Sequence, residues 1–291
     1  MTFERLAFPL FAALALTPAN LLAQAAPARP AAGSGYAATA YTYADLADLS
    51  ANAPVVIDAQ IKSAIRIEEG APAGMARFYV EATVRSLIRG PAGSPALVTY
   101  VADVPVDARG KPPKLKKMRV LLLARQVAGK PGALQLLAPH AQIPWSQPVD
   151  TQLRAILGEL TAAGAPPRIT GIRSAFHVPG TVKGEGETQI FVQTETGNPV
   201  SFSILRRPGE IARWSVALGE IVDEAAGPPK PGTLLWYRLA CALPPQLPER
   251  AIDPGDPANA AQAREDYRVV RDGLGPCERR HPAIQVSSRP R

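Results

Sequence analysis

A chain of 291 residues, 46% hydrophobic and 20% charged, carries enough apolar side chains for one or two ordinary cores, which excludes disorder of the whole. Its 31 prolines are about twice the usual share, and with 23 glycines they disfavour a helical bundle, exclude an α-solenoid or coiled coil, and favour short strands joined by many turns. Two cysteines and three histidines are too few for a Cys-rich or zinc-ribbon scaffold, so neither a cofactor nor a resident metal is expected.

Residues 1–25 read as a signal peptide: a short polar start with Arg5, an apolar run from Leu6 to Leu16, and the small-x-small cleavage signal Ala23-Gln24-Ala25. Pro9, Thr17, Pro18 and Asn20 interrupt a stretch that would need about 20 apolar residues to span a bilayer. A periplasmic or secreted protein is expected, with no membrane span once the signal is removed. Residues 26–41 follow as a disordered Ala/Pro leader, poor in side chains able to form a core.

Thr42-Tyr43-Ala44-Asp45 has the spacing of a capped helix start, and Pro54 ends that helix. Val55, Ile57, Ala59, Ile61, Ile65 and Ile67 then alternate with polar residues, as do Phe78, Val80, Ala82 and Val84, which predicts two long strands in a hairpin. Strands at 97–102, 118–125 and 133–137 follow, the middle one nearly all apolar and therefore central. A helix over 147–161 carries Val149, Leu153, Ile156, Leu157 and Leu160 on one stripe. Five strands and two helices predict a small β-barrel domain over 42–165.

Ala53-Pro54-Val55-Val56, Ser86-Leu87-Ile88-Arg89-Gly90-Pro91 and Val120-Leu121-Leu122-Leu123-Ala124 resemble exported bacterial domains with an OB-like barrel of the netrin or metalloproteinase-inhibitor type, over residues 43–161. The inhibitors' N-terminal cysteine is missing, and a lysine loop stands where an OB-fold has a helix between its third and fourth strands. The resemblance implies the fold and no functional residue.

A second domain is expected over 168–243, with strands at 169–178, 188–194, 200–205, 214–218 and 234–241 and a turn about every ten residues, the rhythm of a β-sandwich or jelly roll. The fold class is thus mainly β, two small antiparallel domains with short flanking helices. Residues 244–291 form a Pro-rich segment, a short helix and a basic tail. In that helix Asp256 caps, Pro257 starts, Ala260, Ala263, Tyr267 and Val270 make the apolar stripe, and Gly273 stops. Cys241 and Cys277 are the only cysteines, and in an exported chain they are expected to pair and tie that segment back.

For function, Lys111, Lys114, Lys116, Lys117 and Arg119 form a basic cluster suited to an anionic polymer. Nucleic acid is not expected as partner, because export removes it and no aromatic residues interleave the lysines. No Gly-x-Ser-x-Gly elbow or His-Glu-x-x-His motif occurs. His177 with Glu185 and Glu187 is the best remaining catalytic set, since a hairpin could bring a carboxylate to the imidazole. Trp214, Trp236 and Tyr237 are read as core, the last two on opposite faces of one strand. The expected role is non-catalytic: a binding or structural protein of the cell envelope that engages an anionic envelope polymer or another envelope protein. The alternatives are a hydrolase or metal-dependent enzyme acting on an envelope polymer, and an electrostatic binder using residues 111–119.

Overall fold

The computed structural model describes residues 41–93, 95–219 and 227–284. The signal peptide expected at 1–25, the leader apart from Tyr41, and the terminal Arg289 and Arg291 lie outside the described residues. The described chain is mainly β, with a six-stranded and a four-stranded antiparallel sheet and four helices.

Helix α1 (Tyr43–Asn52) begins with a complete capping box, in which Thr42 and Asp45 each satisfy the other's backbone N–H. Strands β1 (Val55–Ile67), β2 (Met75–Arg89), β3 (Leu97–Pro105), β4 (Arg119–Gln126) and β5 (Leu134–Leu136) lie in the order β3-β2-β1-β4-β5, and a short β6 (Gln142–Pro144) also pairs with β4. The two end strands approach: the Thr99 N–H donates to the Gly132 carbonyl at 2.9 Å, so the sheet curls around its core. Ile57, Ile61, Val80, Tyr100 and Leu122 fill the concave side. Val56, Leu121 and Leu123 point the other way, onto α1 and α2 (Gln147–Thr161). Burial on both faces is why β4 reads as an unbroken apolar run.

The second sheet runs β10-β9-β8-β7, from β7 (Ile169–Pro179), β8 (Gly186–Thr194), β9 (Val200–Arg206) and β10 (Arg213–Ala217). The sandwich expected here is corrected. Among the described residues no second sheet faces this one; helices α3 (Leu234–Ala242) and α4 (Pro257–Leu274) cover it, with Leu239, Leu243, Tyr267 and Val270 against Ile190, Phe202 and Ile204. The strand expected over 234–241 is α3 itself, capped by the Thr233 hydroxyl accepting from the Trp236 N–H. Leu234 and Tyr237 enter the core shared with α1 and α2, whereas Leu239, Ala240 and Leu243 enter the core of the second sheet. A helix apolar on both sides carries no amphipathic period, so a short apolar run is ambiguous between helix and strand. Trp236 and Tyr237 therefore do not alternate across a sheet. Gly273 lies inside α4, and the helix stops at Gly275, whose φ of 71° is the left-handed region that favours glycine.

Candidate functional site

The segment between β3 and β4 holds the basic cluster. The Asp107 carboxylate accepts from the backbone N–H groups of Arg109 and Lys111, each at 2.9 Å, which tightens the first turn. Leu115 is buried in the core on the concave side of the first sheet, and the Lys117 N–H donates to the Ile61 carbonyl at 2.8 Å. Lys117, at φ 72°, is the only non-glycine residue with positive φ among the described residues. The backbone is thus pinned at both ends, while Lys111, Lys114, Lys116 and Lys117 are exposed and none forms an ion pair among the described residues.

Arg119 is different in kind. It is the first residue of β4, and its guanidinium forks onto the Asp58 carboxylate at 2.9 and 2.7 Å while lying 3.6 Å over the Trp145 ring. Asp58 sits on a strand otherwise buried on that stretch, so Arg119 is committed to neutralising it. A sequence reading groups the five cations by proximity; the Asp in the β1 alternation was the available sign that one of them is structural.

His177, Glu185 and Glu187 do not converge. His177 and Thr188 are cross-strand partners on the helix side of the second sheet, with Nδ1 2.8 Å from the Thr188 hydroxyl. That hydroxyl donates in turn to Asp266 of α4, which is fully buried and also accepts from Arg206 Nε at 2.5 Å and Gln262 Nε2 at 3.1 Å. The His177 ring crosses Gly186, where a Cβ would stand 2.6 Å from Cε1, so only glycine fits. Burial lowers the His177 pKa; Asp266 opposes this and Arg206 adds to it. Glu187 points to the other face, where its Oε1 accepts from Ser203 Oγ at 2.8 Å and Gln189 Nε2 at 3.1 Å. Glu185 is exposed at the hairpin end, against Gly180. Asp266, 79 positions beyond the sequence-adjacent Glu187, is the partner that only folding brings to His177, as chain-distant residues carry no local signal.

Cys241 and Cys277 form a disulfide, S–S 2.00 Å, closing the 36-residue separation and fixing the end of α4 beside α3. Past it the chain folds onto α1. Arg279 Nε donates to Asp48 at 2.6 Å, and the Arg280 and His281 N–H groups donate to the Asp45 carboxylate at 3.1 Å. Burial alone would raise the Asp45 carboxyl, but the donors from Thr42, His281 and Arg280 together hold it below its ordinary value. Burial and a hydrogen bond to Asp48 raise the Tyr237 pKa. Trp236 donates to the Leu274 carbonyl at 2.8 Å, and Trp214 packs edge-on against Phe202, which places all three aromatics in the core.

The described residues hold no group of three or more His, Cys, Asp or Glu side chains arranged to bind a metal ion, and no helix among them is long and apolar enough to cross a membrane. The sequence matches no protein-family model, and no curated protein matches it.

Proposed function

We propose that this is an exported, two-module protein of the cell envelope that works by binding, its first module holding an anionic polymer against the loop between β3 and β4. The carrying observation is that Lys111, Lys114, Lys116 and Lys117 project from a braced backbone without acidic partners among the described residues. Four unneutralised cations on one short segment attract a polyanion over about 8 Å at physiological salt, and a pinned loop loses little conformational freedom on contact.

Export is supported by the signal-like residues 1–25 and by a disulfide, which persists in oxidising surroundings. Modules over 42–165 and 168–243, with 244–291 clasped back by Cys241–Cys277, fit the two sheets and the joining helices. An OB-like first module is supported by the order β3-β2-β1-β4-β5 and by the parallel contact of Thr99 with Ala133.

Retention on immobilised dextran sulfate, with uncharged dextran as the control, tests the reading. The wild-type chain is expected to bind at 0.05 M salt and elute before about 0.5 M, as screening shortens the reach of exposed charges. Replacing Lys114, Lys116 and Lys117 by Gln should abolish retention without changing Tm. Retention that survives the triple substitution overturns the assignment.

A further inference from the structure

The face of the second sheet turned away from α3 and α4 carries a cleft of about 410 Å³, within the size range of small-ligand sites. Strand register lays out its floor. Val178, Glu187 and Leu205 form one cross-strand row, and Phe176, Gln189 and Ser203 form the next. The Phe176 and Phe191 rings stack with centroids 6.1 Å apart and planes inclined at 29°, giving an apolar shelf along β7 and β8. Val178 and Leu205, exposed at 56% and 46%, flank Glu187 on either side.

The polar groups in this cleft are oriented, and only partly used. Ser203 and Gln189 both donate to Glu187 Oε1, which fixes the carboxylate and leaves Oε2 with no bond among the described residues. Arg206 borders the cleft, but the register sets it opposite Gly186, on the Thr188 side of the sheet, where its Nε is bound to Asp266 and its charge is balanced on that face. A ligand suited to this surface has a flat C–H face for the aromatic shelf, hydroxyl groups that can donate to Glu187 and exchange hydrogen bonds with Gln189, and no net charge of its own. An ammonium ligand would meet Arg207, and a phosphate would meet Glu185 and Glu187, all three at the cleft.

We propose that this cleft is a binding site for a neutral saccharide, with a sugar ring stacked on Phe176 and its hydroxyls held by Glu187 and Gln189. The pairing follows from the aromatic quadrupole, whose negative face attracts the weakly positive C–H groups of a pyranose, and from Glu187 Oε2 as an acceptor beside the Gln189 amide, which can both donate to and accept from a hydroxyl. The site is independent of the loop lysines and of the reading built on them.

Calorimetric titration of the full chain with cellotetraose, maltotetraose and chitotetraose, in 0.5 M salt to silence the lysine loop, tests it. At least one of the three is expected to bind with a Kd below about 1 mM, the affinity scale of a shallow site. Phe176→Ala and Gln189→Ala should each weaken binding at least about tenfold, and Glu187→Gln should do the same at unchanged shape, whereas the triple lysine variant should bind normally. Gln189→Ala alters a partly exposed side chain, so it reports on the site even if Phe176→Ala folds poorly. No binding of any of the three sugars, or binding indifferent to Gln189 and Glu187, overturns the proposal, as does a preference for butylammonium over all three sugars.

Discussion

The imidazole of His281 lies flat on that of His140, with 4.5 Å between centroids and 9° between planes, and the Tyr41 ring covers its other side at 4.6 Å. Burial and the neighbouring His281 lower the His140 pKa, outweighing the opposite pull of Asp45 and Asp48. An unfolded histidine titrates near 6.5, so as pH falls through that value the unfolded chain takes up protons that the folded chain resists. The stability present above about pH 7 is therefore lost on acidification toward the lower folded value. Tm should be lower at pH 5.5 than at 7.5, and His140→Phe, which keeps the stack without the charge, should shrink that difference. The buried His177 titrates in the same sense and accounts for a remainder. A difference untouched by His140→Phe would refute the role of the stack.

Reduction of the Cys241–Cys277 bond releases a loop of 36-residue separation, worth about 4 kcal/mol in the chain-entropy view. Urea unfolding of the Cys241→Ala/Cys277→Ala variant should show a midpoint lowered accordingly, with the wild-type chain in reductant moving to meet it.

Asp266 is fully buried and accepts from Thr188, Arg206 and Gln262. Asp266→Ala strands the Arg206 charge and two polar groups, and is expected to cost about 3 to 5 kcal/mol in urea unfolding. A loss below about 1 kcal/mol would mean that water replaces the carboxylate and that the network does not join α4 to the sheet.

Gly273→Ala reverses the usual sign for a helix. Alanine normally gains about 1 kcal/mol over glycine inside a helix. Here its Cβ would stand 2.6 Å from Trp214 Nε1, in a ring packed against Phe202, and overpacking of that kind costs about 1 to 3 kcal/mol. Thermal melts should show Gly273→Ala less stable than wild type, and Trp214→Leu in the same chain should relieve the penalty.

Those residues mark where the sequence was legible. The capping box at Thr42 and Asp45, the alternation that opens at Val55, the helix over Gln147–Thr161 and the cap and proline at Asp256 and Pro257 all appear in the structure as read, because each is a local pattern completed within a few residues. Leu234–Ala242 was misread because its apolar residues serve two cores at once, and a side chain's partner is not written next to it. The candidate site divided in the same way. The exposed lysines were visible as a run, but the commitment of Arg119 to Asp58 and the separation of His177 from Glu187 across a sheet were not.

By itself the chain's order of residues determined its strand-rich character, its turns, three of the four helices among the described residues and the two cysteines available to bond, since propensity, periodicity and capping act over one or two turns of chain. Tertiary structure alone decided that helices cover the second sheet, that Asp266 meets His177 through Thr188, that His281 settles between Tyr41 and His140, and that Phe176, Glu187 and Gln189 share one cleft. Such meetings depend on how whole surfaces exclude water together, a property of the assembled layers that no local stretch of sequence contains.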